Sequence, residues 1–353
     1  MAELHRYLIQ FDEAIKLKRF NENATLREKR DIIIDKLRKR LKEIFEEKDE
    51  TPPTFEEFDQ GSYDLGTGVK PTDGDYDIDE GIRFDLSKWD YSDPVVVKQW
   101  VFEALDGHTD NVKIKDACVT VQYHLDDEPI YHVDLPIYTH DGTDSGVIYL
   151  ARGKPSSPAD KRVWEQSDPI GLCAKIEERF EGDDRSQFRR NIRYLKRWRD
   201  INFSHDGNAA PVGIGLTIAA YYWFQPSKQL IDPLQGKYKY NDQKALRQFI
   251  QQLINNFSNS YHDGESATRL RVTMPVPPSD DPFIRMTNRQ MDAFKSKLET
   301  LLAKLEYTER DEVDPVDACT ELQKVFGDDF PVPEPENTGK TKSSAILSVS
   351  TSA

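Results

Sequence analysis

A chain of 353 residues can bury a substantial core, and one large domain or two closely packed ones are its natural organisations. Its formal net charge of -15 excludes broad, sequence-independent binding of RNA or DNA, which draws on lysines and arginines neutralising phosphates. A compact basic pocket for a small phosphate-bearing ligand stays compatible with that charge.

The N-terminal stretch is charged from Glu3 onward and has no apolar core of a secretory signal. The first long element opens at Thr25-Leu-Arg-Glu28, a capping-box pattern, and Leu26, Ile33, Leu37, Leu41 and Ile44 recur at helical spacing. These predict an amphipathic helix over 26–47, stopped by Thr51-Pro-Pro. From about 55 to 150 the pattern turns to short strands separated by Gly- and Asp-rich turns, among them Tyr76-Asp-Ile-Asp, Cys118-Val-Thr-Val-Gln-Tyr and Tyr131-His-Val-Asp-Leu. One helix near Pro94 to Leu105 interrupts them.

The second half reads as mostly helical. Asp168-Pro169 and Asp314-Pro315 each place an N-cap before a proline at the first helical position, and Thr287-x-x-Gln290 is a second capping box. Phe188, Ile192, Leu195 and Trp198 form one apolar stripe, and Leu246, Phe249, Ile250, Leu253 and Phe257 form another. The last helix ends at Phe326-Gly327. Beyond Phe330 the composition shifts to alternating proline and then to Ser, Thr and Lys, so 331–353 reads as a disordered tail. Three scattered cysteines, Cys118, Cys173 and Cys319, argue against a disulfide framework or zinc site and for a reducing compartment. The longest apolar run, Ile214 to Phe224, is about half of the ~20 residues that cross a bilayer, so a cytoplasmic protein is expected.

The chemistry concentrates between Gln60 and Gly81. On a strand, Asp77 and Asp79 project from one face, and two carboxylates that close are stable mainly with a cation between them. Mg²⁺, with Mn²⁺ as a substitute, suits carboxylates plus substrate phosphates. Asp134, in the apolar strand Tyr131-His-Val-Asp-Leu-Pro, supplies the third carboxylate that a two-ion site needs to activate a hydroxyl and steady a leaving pyrophosphate. Gly61-Ser62 adds a turn whose backbone N–H groups and hydroxyl suit a phosphate. His132 shares the face of Asp134 as a partner that hydrogen-bonds a ligand, an extra ligand or a hydrogen-bonded strand histidine.

The stretch GSYDLGTGVKPTDGDYDIDEG resembles the GS…DxD signature of the polymerase-β-like nucleotidyltransferases, and more narrowly the CD-NTases, bacterial cyclic oligonucleotide synthases of CBASS anti-phage defence. The likeness extends through YHVDLPIY, RRNIRYLKRWRD and ACTELQKVFGDDFP, from about 22 to 332. It implies an α+β fold: a nucleotidyltransferase core with a mixed sheet and a long spine helix over 1–160, a helical lobe over 161–330 that completes the nucleotide cleft, and the tail. It also implies Asp77, Asp79 and Asp134 as catalytic and metal-binding residues and ATP and GTP as substrates. Asp75-Tyr-Asp77 also satisfies DxD and lies nearer the usual spacing from Gly-Ser; the YDID ending favours Asp77 and Asp79.

In the helix near 186–201, Arg190, Arg193 and Arg197 recur at one face with Arg189 and Lys196 alongside, the densest basic cluster in an acidic chain. It reads either as a solvated basic face pairing with nearby acids or as the cation wall for a triphosphate. By resemblance Lys196 is the first phosphate-binding candidate and Arg197 the second. Tyr63, Tyr221, Tyr222 and Trp223 offer stacking surfaces for bases or core aromatics, with Tyr63 taken into the nucleotide-binding set. The product expected is a cyclic di- or trinucleotide; the alternatives are an RNA-end or oligoadenylate transferase and a catalytically silent scaffold. The tail, ending at Ala353, is either inert or the attachment point for a conjugating or regulatory CBASS partner.

Overall fold

A computed structural model of the chain describes residues 4–17, 22–72, 76–125, 128–143, 145–204 and 209–335. Helix α1 spans His5–Ile15 and α2 spans Glu22–Glu46. Strand β1 (Phe55–Asp59), a one-turn helix α3 (Gly61–Asp64), β2 (Tyr76–Ser87) and α4 (Val95–Leu105) follow. Then come β3 (Val112–Ile114), β4 (Val119–Leu125), β5 (Glu128–Leu135), β6 (Ile137–His140), β7 (Ile148–Ala151) and β8 (Trp164–Ser167). The remainder holds α5 (Pro169–Glu178), α6 (Gly182–Asn202), α7 (Gly213–Trp223), α8 (Asp242–Asn255), α9 (Asn288–Thr308) and α10 (Pro315–Phe326). Two hairpins interrupt these helices, β9 (Lys228–Asp232) with β10 (Lys237–Tyr240), and β11 (Phe257–His262) with β12 (Glu265–Leu270).

One mixed sheet of eight strands runs β3-β4-β5-β2-β6-β7-β8, with β1 also paired to β2. Strand β2 lies antiparallel to β1 and parallel to both β5 and β6, which follow one another along its edge with Pro136 between them. Alternation assigns the two faces. Ile82 and Phe84 of β2, Val119 and Val121 of β4, and Val133 and Leu135 of β5 pack under Ile33, Leu37 and Leu41 of α2 and Val97 and Val101 of α4. The residues between them, including Asp77, Asp79, Thr120, His132 and Asp134, therefore face away from those helices.

The second core gathers the helical half around α6. Phe188, Ile192, Leu195 and Trp198 are buried there with Leu246, Phe249, Ile250, Leu253 and the α9 stripe from Met291 to Leu305. Leu4 and, from α1, Leu8, Phe11 and Ile15 belong to this cluster.

Several start signals hold. The side chains of Asp168 and Asp314 accept from the backbone N–H groups of their first turns, and Thr287 forms a complete capping box with Gln290. Others need correction. Helix α2 already begins at Glu22, so Thr25 lies inside it rather than at its start. Phe257 opens strand β11 rather than ending α8, which stops at Asn255. Among the described residues no helix is long and apolar enough to cross a membrane, and the three cysteines are buried and unpaired. Asp75 and residues 336–353, including the proposed attachment point, lie outside the described residues.

Candidate active site

The parallel register of β2 and β5 sets Asp77 beside His132 and Asp79 beside Asp134, so four side chains with ligand atoms share one face of two adjacent strands. Asp77 Oδ1 and His132 Nε2 are 3.2 Å apart. Asp77, His132 and Asp134 each offer a ligand atom within 4.8 Å of the others, the one such group of three or more among the described residues. Asp134 is held from the next strand: Thr120, its register partner on β4, donates its hydroxyl to Oδ1, and Lys115 Nζ stands 3.4 Å from the same oxygen.

Asp79 points toward the glycine-serine turn. Gly61 has φ of +72°, a conformation a side chain rarely adopts, and a Cβ built on it would lie 2.4 Å from Asp79 Oδ2. The residue before it, Gln60, is buried and accepts a 2.9 Å hydrogen bond from the hydroxyl of Tyr138 on β6, which fixes the turn to the sheet. Burial, with the charges of Asp77 and Asp134 added, pushes the Asp79 carboxyl up to about 8. A group of that kind holds its proton near neutrality unless a cation offsets the crowding.

Between this face and the helical half lies a cavity of about 480 Å³. Gly61, Ser62, Asp77 and Asp79 line one side, and Lys196 of α6 with the first turn of α7 lines the other. Lys196 is buried, and its Nζ donates to Thr67 O at 3.1 Å and to Thr67 Oγ1 at 3.3 Å. Burial, then the neighbouring Arg199, pulls its ammonium down to about 7. Helix α7 begins after Val212 with no side-chain cap, and its residues Gly213 and Ile214 open onto the same space. Free N–H groups at a helix start attract anions.

The rest of the basic stripe pairs with acidic residues and does not line the cavity. Arg190 pairs with buried Asp242 at 2.6 Å, Arg193 with Asp12 at 2.7 Å, and Arg189 with Glu177 at 2.6 Å. Arg197, expected at the nucleotide, is buried and lies 3.3 Å from Asp329 instead. Tyr63 is also outside the cavity lining: it is buried in α3, and its hydroxyl accepts from Arg27 Nε at 2.6 Å. Tyr221, Tyr222 and Trp223 do not line the cavity either, and the hydroxyl of Tyr222 donates to Thr273 O. The aromatic side chain that does line it is Tyr76, which the sequence reading passed over together with Leu17, Thr67, Arg199 and Thr217. Arg199 was findable, because it sits one turn beyond Lys196 on the same helix. Leu17 and Thr120 were not, since each depends on pairing with a distant segment.

Residues 54–138, which carry the turn and all three carboxylates, match the family model of the nucleotidyltransferase domain of cyclic GMP-AMP synthase DncV-like proteins. Over these residues the chain is similar to that DncV-like nucleotidyltransferase domain. Solved structures of Vibrio cholerae DncV are similar over nearly the whole chain. The GTP-bound form is 17% identical with a TM-score of 0.70, covering 93% of this chain and 96% of that one. A structure described as a cyclic AMP-GMP synthase and prokaryotic cGAS homolog is 18% identical with a TM-score of 0.64, covering 94% and 98%. A complex with the linear intermediate pppA(3′,5′)pG is 17% identical with a TM-score of 0.66, covering 93% and 96%. At these identities the likeness to the solved structures is one of fold. With the family match, the CD-NTase resemblance read from 61–81 holds, and so do the α+β fold and the nucleotidyltransferase class.

Proposed function

We propose that this protein joins ATP and GTP, or two or three copies of either, into a cyclic di- or trinucleotide with release of pyrophosphate. The single observation that carries the proposal is the in-register face of Asp77, Asp79 and Asp134, of which Asp77 and Asp79 line, with Gly61 and Ser62, a cavity that Lys196 bounds. The donor set fits a hard divalent cation, Mg²⁺ with Mn²⁺ as a substitute: carboxylates stand together on one face, and burial, then the charges of Asp77 and Asp134, pushes the Asp79 carboxyl up. Asp77, Asp79 and Asp134 would hold the cations. When bound, such cations neutralise the triphosphate and lower the pKa of the acceptor ribose hydroxyl.

The protein's own residues do the rest. Gly61 and Ser62 let the backbone approach the donor phosphates, and Lys196 with the start of α7 receives the β- and γ-phosphate charge. Thr120 holds Asp134 from the neighbouring strand through its hydroxyl. A cavity of about 480 Å³ is the size of a small-ligand site rather than of a polymer groove, which supports a nucleotide product over RNA-end extension. The GTP-bound form and the linear-intermediate complex of Vibrio cholerae DncV support a two-step route in which a linear dinucleotide re-enters the same site.

The biological reading follows from the resemblance: a cytoplasmic second messenger made in CBASS anti-phage defence, with the C-terminal tail available to a conjugating partner. The test is an incubation of the purified protein with the four labelled nucleoside triphosphates and Mg²⁺, followed by phosphatase and mass spectrometry. A phosphatase-resistant cyclic product supports the proposal and names its bases. Phosphatase-sensitive oligoadenylate or an extended RNA primer would replace it with the alternative transferase.

A further inference from the structure

His132 has no role in the account above, yet it stands inside the donor cluster. Its Nε2 is 3.2 Å from Asp77 Oδ1, and Asp77, His132 and Asp134 each offer one ligand atom within 4.8 Å of the others. Two donors bound cis on an octahedral ion at about 2.1 Å are separated by about 3.0 Å, so the Asp77–His132 spacing is that of neighbouring ligands on one cation. The strand pairing enforces it, since Asp77 and His132 are register partners on adjacent parallel strands. The imidazole is also largely buried, with only 16% of its side chain exposed, while Asp77 is half exposed at 53%. The nitrogen is therefore the more firmly placed of the two donors.

We infer that His132 is a direct metal ligand alongside Asp77 and Asp134, and that it tilts the site toward Mn²⁺ over Mg²⁺. The inference rests on the reading of this face as a cation site. Its chemistry differs from that of an all-carboxylate site. Mg²⁺ takes hard oxygen donors and keeps its waters, whereas a neutral imidazole is a better donor to the later first-row divalent ions, with Mn²⁺ the first to benefit. A hydrogen bond from His132 to Asp77 would explain the same 3.2 Å separation, and the two arrangements differ in whether nitrogen touches the ion.

The experiment is electron spin-echo envelope modulation on the full protein loaded with one equivalent of Mn²⁺ and a non-hydrolysable ATP analogue. Wild-type protein grown with ¹⁵N-histidine serves as the isotopic control, so the result does not depend on a variant that folds. His132→Ala and Asp77→Asn are run beside it, with their folding checked by thermal melting. The expected result is a directly bound imidazole ¹⁴N coupling that changes with the isotope and disappears in His132→Ala. Calorimetry should then show Mn²⁺ affinity falling about tenfold in His132→Ala while Mg²⁺ affinity falls less than about threefold. If Mn²⁺ binds and Asp77→Asn abolishes that binding, but no histidine coupling is seen, His132 only hydrogen-bonds Asp77 and the inference fails while the cation site stands. If wild-type protein binds no Mn²⁺ with or without nucleotide, both fail.

Discussion

Asp79 packs its carboxylate directly against the backbone of Gly61, so closely that a Cβ on that glycine would stand 2.4 Å from Oδ2. The two halves of the nucleotidyltransferase signature, eighteen residues apart in the chain, are therefore one object in space. Glycine is required here twice over, by the approach of Asp79 and by a φ of +72°. Gly61→Ala should cost about 1–3 kcal/mol in stability and lower turnover by about a hundredfold while the protein stays folded. Chemical denaturation and pyrophosphate release measure the two effects separately.

The same crowding makes Asp79 a stability liability in the absence of cations. Its carboxyl is pushed up to about 8, first by burial and then by Asp77 and Asp134. The folded protein thus binds more protons than the unfolded chain from about pH 4 to pH 8, and stability falls as pH rises through that window. In EDTA, Asp79→Asn should melt at the same temperature as wild type near pH 4.5 and at progressively higher temperature than wild type as the pH rises toward 8. Equal melting curves at every pH would remove this explanation.

Lys196 should couple nucleotide binding to a proton. Burial, then Arg199, pulls its ammonium down to about 7, so the nucleotide-free folded state holds fewer protons than the unfolded chain between about pH 7 and pH 10.5. Stability of the nucleotide-free protein rises across that window, while a bound triphosphate favours the charged form. Triphosphate affinity should therefore fall as pH rises above 7, with proton uptake detectable by calorimetry in buffers of different ionisation enthalpy. Lys196→Met should abolish the uptake and weaken binding about tenfold or more.

Arg193 ties the site to the start of the chain. It pairs with buried Asp12 of α1 and also donates to Gly66 O at 2.5 Å, one residue before the Thr67 that holds Lys196. Removing one partner of such a pair leaves a buried charge uncompensated. Arg193→Ala should cost about 3–5 kcal/mol in urea unfolding, whereas Arg197→Ala, whose partner Asp329 is half exposed, should cost less.

Much of this arrangement is legible in the sequence because it is local. The alternation in Tyr76-Asp-Ile-Asp and Tyr131-His-Val-Asp-Leu assigns the carboxylates to one face, and Asp168, Thr287 and Asp314 announce their helices through their own side chains. What was hidden depends on partners far along the chain. The basic stripe of α6 looks like a phosphate wall or a solvated face until Asp12, Asp242 and Asp329 are seen to meet it, leaving Lys196 at the cavity. Tyr63 resembles a stacking residue until Arg27 is found at its hydroxyl. The hairpins β9–β10 and β11–β12 escaped notice inside a half read as helical, since short polar strands carry weak periodicity.

The central claim is that Asp77 serves the reaction rather than the fold, and its exposure makes the test clean. Pyrophosphate release from ATP and GTP should be measured for wild type and Asp77→Asn, together with the melting temperature of each. The account predicts a loss of about a thousandfold in turnover with a melting temperature close to that of wild type. Turnover within about tenfold of wild type in a folded Asp77→Asn protein would contradict it.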